Sequence, residues 1–424
     1  MNYSAGFRNL WNQSATTFPH DLNFFSKKEQ KLREIRFDEF LDKLQTASLE
    51  AEVNPDADKK KELLALLHTF FRETLGYSDN NLQVILSDDM VRSTYWFINA
   101  AQVFDPALSF HDIFQACRNV WIMNGLQFLC GKPICLTPPI FAYSMLYPYT
   151  DNYLDNPAIS TLEKIDFSNR FAKRLAGHQV SARNGQEEKI FHLVELIEDY
   201  WSREQHPRVY ESLLAIHDAQ TQSLALIHQA DQLSPDDVFR ICTQKGGTSV
   251  IADGYLVLGN LTDKEEEFFY YYGAYLQLLD DLQDATDDLN DGLMTSFSAK
   301  ANQEMLDSWL CKAYHLGFQV MGCVDQLHSA NAEAFKSLMG KSIDLFLVES
   351  VITNHPFFSR KFARKFERCS PLRFSFIKKK NGSFSPYQDQ LFERIMKQAA
   401  NGRDEFSYDF LKTNSLLNKQ QAVS

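Results

Sequence analysis

Apolar residues recur at three- and four-residue spacing along most of this chain, and no segment alternates as a half-buried strand does. The segment KKKELLALLHTFFRETLGY, residues 59–77, shows this spacing and meets a typical helix stop at Gly76. Residues that break helices are scarce, with 17 Gly and 13 Pro among 424 residues. In a typical protein, glycine makes up about 7% of the residues and proline about 5%. The sequence therefore predicts an all-α fold.

Changes in composition predict three parts of the chain. We expect a polar helical extension over residues 1–60, a main helical domain over 61–354, and a basic and aromatic segment with a polar tail over 355–424. The main part should contain helices that begin at Pro138 and at Ser234. Further helical stretches are predicted over 189–231, 263–290 and 302–353. With 44% hydrophobic residues the chain can bury a large core.

Charge and cysteine usage exclude several classes of protein. The net charge of −12 argues against nucleic acid as a partner. Seven cysteines without a C-x-x-C pair indicate reduced thiols rather than a disulfide framework or a zinc site. The longest apolar stretch, around Trp121–Tyr149, is interrupted by Lys132 and several prolines, so it does not suit a membrane span. We expect a cytoplasmic protein.

The most informative stretch is DKEEEFFYYYGAYLQLLDDLQDATDDLNDG, residues 263–292. Six Asp fall between positions 280 and 291, and no basic residue lies between Lys264 and Lys300. On a helix, residues three or four apart share one face. That face would carry Gly273, Gln277, Asp280, Asp284 and Asp288, with Asp287 as an alternative to Asp288, and Asp281 would lie beside it.

Carboxylates in this arrangement repel one another unless a cation lies between them. Hard oxygen ligands suit Mg²⁺, which takes one or two carboxylates and completes its shell with water and phosphate. The alternative is a solvated acidic face. An EF-hand is excluded, because Leu289 and Ser298 would occupy ligand positions of such a loop.

A second carboxylate pair, Asp151 and Asp155, lies four residues apart at the end of another aromatic helix. It is either a helix-ending turn or a second metal-binding motif that faces the first. The helix expected from Ser234 adds Lys245 and Ser249 on one face, as a cation and a hydroxyl donor for phosphate oxygens. Its glycine pair, 246–247, suits a kink or a close ligand, or else helix packing.

The segment FFSRKFARKFERCSPLRFSFIKKK, residues 357–380, carries nine Lys or Arg and the single acid Glu367. Three interpretations stay open: a solvated helix, a lid over an anionic ligand, and a surface that contacts anionic lipid.

Three segments together resemble the class I isoprenoid synthase superfamily. GAYLQLLDDLQD, residues 273–284, is similar to the second aspartate-rich motif of trans-prenyltransferases and to the squalene and phytoene synthase motif. NYLDN, 152–156, and KGGTSVIAD, 245–253, resemble segments of bacterial large-terpene synthases of the tetraprenyl-β-curcumene synthase type. One departure is Asn152, which stands where that family has Asp. The first metal motif could therefore use Asp151 instead.

The resemblance implies a single large antiparallel helical bundle around a deep apolar pocket. It implies several Mg²⁺ ions that bridge a prenyl diphosphate, and it is compatible with a homodimer. The metal ligands would be Asp151, Asp155, Asp280, Asp281, Asp284 and Asp288. Lys245, Ser249, Gln277, Arg118, Arg170 and Arg174 would contact the diphosphate side of the substrate. Phe141, Tyr143, Tyr149, Tyr272 and Tyr275 are expected to line the pocket.

Three functions remain open on the sequence. The first is a terpene synthase that ionises one long all-trans prenyl diphosphate. The second is a prenyltransferase, either chain-elongating or coupling two chains head to head. The third is a non-enzymatic helical lipid-binding protein whose acidic faces keep it in solution.

Overall fold

The structure, a computed structural model, describes residues 3–53, 57–155, 159–228 and 232–380. Within these ranges the regular elements are helices and no strand occurs, so the all-α prediction is confirmed. The α-helices, in chain order, are α1 (Tyr3–Gln13), α2 (Lys27–Val53), α3 (Ala57–Phe70), α4 (Asp79–Ile85), α5 (Asp88–Phe104), α6 (Phe110–Leu129), α7 (Pro138–Asp155), α8 (Thr161–Leu175), α9 (Gly185–Tyr200), α10 (Pro207–Ser223), α11 (Ala225–His228), α12 (Pro235–Leu258), α13 (Asp263–Gln283), α14 (Ala285–Asp291), α15 (Ser298–Ala301), α16 (Asp307–Gly322), α17 (Ala332–Thr353) and α18 (Arg360–Glu367).

A few segments adopt other helical geometries. A π-helical turn, Phe71–Leu75, follows α3 and ends at Gly76, which has φ +84°. Short 3₁₀ turns occupy Cys323–Leu327 and His355–Phe357, and residues 374–380 are helical. None of the described helices is both long enough and apolar enough to cross a membrane.

Side-chain caps explain where several of these helices begin. The Ser234 hydroxyl accepts a hydrogen bond from the backbone N–H of Asp237, whose carboxylate accepts one in return, so the predicted start of α12 is confirmed. Thr262 and Glu265 form the same reciprocal cap at α13. Each cap satisfies backbone donors that would otherwise lack partners, and is worth about 1 kcal/mol. The predicted start of α7 at Pro138 is also confirmed.

The acidic stretch forms two helices rather than the predicted one. α13 ends at Gln283, and Asp284 leaves helical geometry with φ −93° and ψ 7° before α14 begins. The Asp284 N–H still donates to the Asp280 carbonyl at 2.9 Å, and the Asp288 N–H to the Asp284 carbonyl at 2.8 Å. The three aspartates therefore keep one-turn spacing across the interruption.

The other long helical stretches are interrupted too. Residues 189–231 contain the end of α9, then α10 and α11, with Pro207 at the first turn of α10. Residues 302–353 divide into α16 and α17, which a 3₁₀ turn and His328 in left-handed geometry separate. Both segments are helical as predicted, but turns shorten their helices.

Two apolar clusters form the core, and α12 contributes to both. One cluster is centred on α13, α16 and α17, with Phe268, Phe269 and Tyr275 fully buried. The other is formed by helices α5 to α10. α12 gives Val250 to the first and Tyr255 to the second. The helix pair α12–α13 therefore joins the two halves of the core.

Glycines allow α12 and α13 to pack backbone against backbone. A Cβ atom on Gly246 would overlap the carbonyl oxygen of Gly273, and a Cβ on Gly273 would overlap the carbonyl oxygen of Gly246. A Cβ on Gly247 would lie 2.5 Å from the ring of Tyr270. Of the interpretations left open for this glycine pair, helix packing is the one that the structure shows.

A buried carboxylate ties four helices together beside this crossing. Glu266 of α13 accepts a hydrogen bond from the Tyr3 hydroxyl of α1 at 2.8 Å and one from Arg208 of α10 at 2.6 Å. The Tyr255 hydroxyl of α12 donates to the same carboxylate. These bonds lower the pKa of Glu266 against the opposing effect of burial. The network stabilises the orientation of α12 and α13.

The two flanking segments pack on the main helices. Phe7 and Trp11 of α1 are buried in the core cluster around α13. Phe362 and Phe366 of α18 are buried in the same cluster. The predicted boundaries at residues 60 and 355 stay predictions, and residues 381–424 of the predicted tail lie outside the described residues.

We expect Gly246→Ala and Gly273→Ala each to destabilise the fold by about 1–3 kcal/mol, because the added methyl group separates two backbones in contact. Urea unfolding measures the change in the free energy of unfolding. Gly340→Ala in α17 is the matched control, since nothing lies within 4 Å of its added Cβ. It should be neutral or stabilise by up to about 1 kcal/mol. Equal behaviour of all three variants would contradict the packing argument.

Candidate functional site

A cavity of about 250 Å³ lies where α6, α7, α8, α10, α12 and α13 meet. Five of its lining residues are polar or charged residues that the sequence predicts for substrate or metal contact. These are Arg118, Lys245, Ser249, Gln277 and Asp280. The cavity therefore collects predicted site residues from three separate helices.

The crossing of α12 and α13 explains why these polar side chains are neighbours. A Cβ on Gly246 would lie 2.5 Å from the Gln277 Cβ, so Lys245 and Ser249 stand next to Gln277. Asp280 follows Gln277 by three residues and shares its face. The predicted one-turn spacing of both motifs thus produces a single polar patch in the cavity wall.

Arg118 of α6 joins this patch through Asp280. Its Nη2 atom lies 3.3 Å from Asp280 Oδ1, and the side chains are 54% and 44% exposed. An exposed ion pair of this kind contributes only about 0–1 kcal/mol. The guanidinium can therefore exchange the carboxylate for the phosphate oxygens of a ligand at little cost.

The aspartates beyond Asp280 hold their protons more tightly than usual. Burial and the charge of Asp280 raise the pKa of Asp284 to about 6, against the opposing charge of Arg118. Although the Asp284 side chain is exposed at the surface, the charge of Asp287 on its other side also raises this pKa. Burial and the charges of Asp281 and Asp284 raise the pKa of Asp288 to about 7, although Thr295 donates a hydrogen bond to it at 2.9 Å. A nearby cation would relieve this repulsion.

Asp281 occupies a different environment from the other acids. It is 3% exposed, and its Oδ1 accepts a hydrogen bond from Gln277 Nε2 at 2.8 Å. Burial raises the pKa of Asp281 to about 7, and the charge of Asp280 adds to the rise. Asp281 is not among the residues that line the cavity. It orients Gln277, which does line it.

The acidic residues fit Mg²⁺ in donor type but do not form a complete protein cage. Among the described side chains, no three His, Cys, Asp or Glu residues are arranged to hold a metal ion. Mg²⁺ usually takes only one or two carboxylates and keeps water and phosphate as its other ligands. The repulsion among Asp280, Asp284 and Asp288 is the feature that suits a divalent cation. The side chains of Asp151 and Asp155, the other predicted ligands, lie outside the described residues.

Arg170 and Arg174 are placed away from the cavity lining, in ion pairs of their own. Arg170 donates two hydrogen bonds to Glu187, at 3.1 and 2.7 Å. Arg174 donates two to Glu198, at 2.7 and 2.6 Å. Both arginine side chains are mostly buried. Removing one partner of such a pair costs about 3–5 kcal/mol, so these arginines serve to hold α8 against α9.

The rest of the cavity wall is apolar and aromatic. Of the aromatic residues predicted to line it, Tyr143 does so, and Phe141, Tyr149, Tyr272 and Tyr275 are buried in the core without being part of the lining. Eight other large apolar or aromatic side chains line the wall: Ile122, Leu146, Tyr147, Phe171, Leu175, Leu213, Ile216 and Leu276. The cavity is therefore amphipathic, with a polar patch on α6, α12 and α13 and a mainly apolar remainder that also contains Thr150, His217 and Gln220.

His217 of α10 also lines the cavity, and sequence analysis did not identify it. Its Nε2 lies 3.0 Å from the Ser168 carbonyl oxygen, so Nε2 donates and the tautomer leaves Nδ1 as an acceptor. Burial lowers the pKa of His217 below its usual value. A neutral base thus lies in the cavity wall, beside the apolar side chains of Leu213 and Ile216 on the same helix. No motif surrounds it, so only the fold reveals it.

Asp253 lies one helical turn below Ser249, with no exposed surface. Neither of its carboxylate oxygens has a hydrogen-bond partner among the described residues. The nearby Asn119 amide favours the charged form, but it already donates to Ser144 at 3.2 Å. Burial raises the pKa of Asp253 well above its usual range. The side chain therefore behaves as a neutral acid behind the cavity wall.

This chain matches no family model, no curated protein and no solved structure. What the site can do follows from its own residues. It combines two cations, a hydroxyl group, an amide and the Asp280 carboxylate with an apolar chamber, and Asp284 and Asp288 continue the row of acids outside the lining. That combination suits an amphiphilic ligand with an anionic head and a hydrocarbon tail.

The buried acid predicts a pH-dependent difference between Asp253→Asn and the native chain. Well below pH 4, Asp253 is protonated in both the folded and the unfolded state. As the pH rises, the unfolded chain releases the proton while the folded chain retains it, which lowers the free energy of unfolding until the raised pKa is passed. Asparagine cannot ionise, so this loss disappears in the variant.

Urea unfolding from pH 5 to pH 8 checks this expectation. The free energy of unfolding of Asp253→Asn relative to the native chain should rise with pH. The rise should be about 1.4 kcal/mol for each pH unit that lies between the pKa of Asp253 in the unfolded chain and its pKa in the folded chain. A difference that stays constant over this range would contradict the assignment of a neutral buried acid.

Proposed function

We propose that this protein is a Mg²⁺-dependent class I terpene synthase that converts a long-chain all-trans prenyl diphosphate into a terpene hydrocarbon and diphosphate. The observation that carries the proposal is the amphipathic cavity, whose polar patch is built from the two motifs that resemble class I isoprenoid synthases. An all-α fold agrees with that resemblance.

The polar patch would bind the diphosphate. Lys245 supplies a compact charge, Arg118 a planar guanidinium that can contact two oxygens, and Ser249 a hydroxyl donor. Gln277 is held by its bond to Asp281 and offers a fixed amide. These donors would stabilise the charge that develops on the leaving oxygen when the C–O bond breaks.

Asp280, Asp284 and Asp288 would hold Mg²⁺ on one side of the diphosphate, and the resemblance adds Asp151 and Asp155 on the other. Bound Mg²⁺ supplies Lewis acidity and a template for the diphosphate. The protein's contribution is to keep several carboxylates at one-turn spacing, where protonation competes with metal binding because their pKa values are raised.

Breaking the C–O bond leaves its electron pair on the diphosphate and a positive charge on the allylic carbon. The aromatic wall suits that charge, because the faces of Tyr143, Tyr147 and Phe171 attract cations. An apolar wall also excludes water, which would otherwise capture the cation as an alcohol. Loss of a proton then yields the hydrocarbon. His217, neutral and with Nδ1 as an acceptor, is positioned in the wall to take it.

A prenyltransferase is the main alternative, since its second aspartate-rich motif has the same D-D-x-x-D pattern as residues 280–284. Both reactions begin with the same ionisation. They differ in the group that reacts with the allylic cation. In a terpene synthase it is part of the same prenyl substrate, and in a prenyltransferase it is a second prenyl molecule.

The test is an assay with Mg²⁺ and a series of all-trans prenyl diphosphates of increasing length, each with and without isopentenyl diphosphate. We expect diphosphate release from one long substrate alone, with a hydrocarbon identified by mass spectrometry. A longer diphosphate or a coupled product would replace the proposal with a prenyltransferase. No Mg²⁺-dependent release from any substrate would contradict both and leave the lipid-binding alternative.

In that assay we expect Asp284→Asn to lower turnover by about 100-fold or more, because it removes a metal ligand without changing side-chain size. Thermal unfolding should change little, since the lost charge was repelled by its neighbours. Asp291→Asn, an exposed acid at the end of the same acidic stretch, is the matched control and should retain activity. Equal activity of the two variants would contradict the metal assignment.

A further inference from the structure

The first half of α2 and the chain around α18 form one continuous surface. The Phe25 N–H donates to the Arg368 carbonyl at 2.7 Å, and Gln30 donates to the carbonyls of Glu367 and Ser370 at 2.7 and 3.0 Å. Arg373 pairs with Glu34 of α2 through two hydrogen bonds. Two segments more than 300 residues apart in sequence are thereby fixed side by side.

Basic side chains dominate this surface, which we name the basic surface. Its exposed members are Lys27, Lys28, Lys31, Arg360, Lys361, Arg364, Lys365, Arg368, Lys378 and Lys379. The whole chain carries a net charge of −12, so this concentration of positive charge is local. A positively charged surface on a protein of negative net charge indicates an anionic partner for that surface.

Large apolar side chains stand exposed among these lysines and arginines. Phe24 is 46% exposed, Leu32 49% and Ile35 50%. Leu32 and Ile35 are three residues apart, so they share the outer face of α2. Arg368 lies over the Phe24 ring at 5.2 Å from its centroid, which places the ring within the charged surface. Exposed apolar groups beside a concentration of cations suit a boundary between water and hydrocarbon.

We propose that the basic surface docks on an anionic lipid bilayer, with Phe24, Leu32 and Ile35 entering the headgroup region. Lysine and arginine side chains around them would contact lipid phosphates while their alkyl stems stay near the apolar layer. No residue of this surface lines the cavity, so the inference does not depend on the proposed reaction.

Two other occupants fit this surface less well. A nucleic acid would use the positive charge but would leave the aliphatic pair Leu32 and Ile35 against a polar backbone. A second copy of the chain would cover the apolar side chains but would bring two positively charged surfaces together. Anionic lipid satisfies the charge and the apolar side chains at once.

Co-sedimentation of the full chain with vesicles tests the inference. We expect binding to phosphatidylcholine vesicles that contain about 30% phosphatidylglycerol, weak binding to pure phosphatidylcholine, and a loss of binding at high salt. Lys27→Glu with Lys31→Glu should weaken binding by about tenfold or more. The matched control, Lys132→Glu with Lys264→Glu, changes the net charge equally at exposed sites elsewhere and should bind as the native chain does.

A second pair of variants tests the apolar part. Leu32→Ser with Ile35→Ser should weaken vesicle binding severalfold at unchanged charge. The matched control is Leu162→Ser with Ile165→Ser on α8, where the two side chains are also three residues apart and are 79% and 52% exposed. This control should bind vesicles as the native chain does. Equal binding of both pairs would overturn the proposal. So would tight binding of RNA without binding of vesicles, or a dimer that the Leu32–Ile35 variant converts to monomer.

Discussion

The close packing of α12 on α13 is the contact on which the site depends. Gly246 and Gly273 let the two backbones touch, and a methyl group at either position would overlap the carbonyl oxygen of the other glycine. The same contact places Lys245 and Ser249 beside Gln277 and Asp280. A wider separation of α12 and α13 would move Lys245 away from Asp280. Packing and function therefore constrain the same few residues.

Electrostatics divides the acidic residues into groups with different tasks. Asp280 is partly exposed at the cavity and is paired weakly with Arg118. Asp281, the next residue in sequence, is buried and orients Gln277. Asp284 and Asp288 continue the row of acids, and burial together with the charges of the neighbouring aspartates raises their pKa values. This unrelieved repulsion is the strongest physical indication of a cation in the proposed mechanism.

Sequence patterns correctly predicted the features that depend only on residues close together in the chain. Helical spacing correctly grouped Lys245 with Ser249 and Gln277 with Asp280, because each pair lies on one helix. Capping chemistry correctly predicted the start of α12 at Ser234.

Features that depend on tertiary partners were predicted less well. Arg170 and Arg174 were expected at the diphosphate, but Glu187 and Glu198, more than 15 residues away, hold them elsewhere. The helix break at Asp284 and the presence of His217 in the cavity had no signal in the sequence. The glycine pair was noted, but its role in packing required the position of α13.

In the proposed mechanism the carboxylates and the cations at the cavity form one site for a metal–diphosphate complex. Thermal unfolding of the native chain should be measured with Mg²⁺ alone, with inorganic diphosphate alone, and with both together. Both together should raise the melting temperature by a few degrees more than the sum of their separate effects, because each ligand completes the other's binding site. Shifts that merely add, or no shift at all, would contradict it.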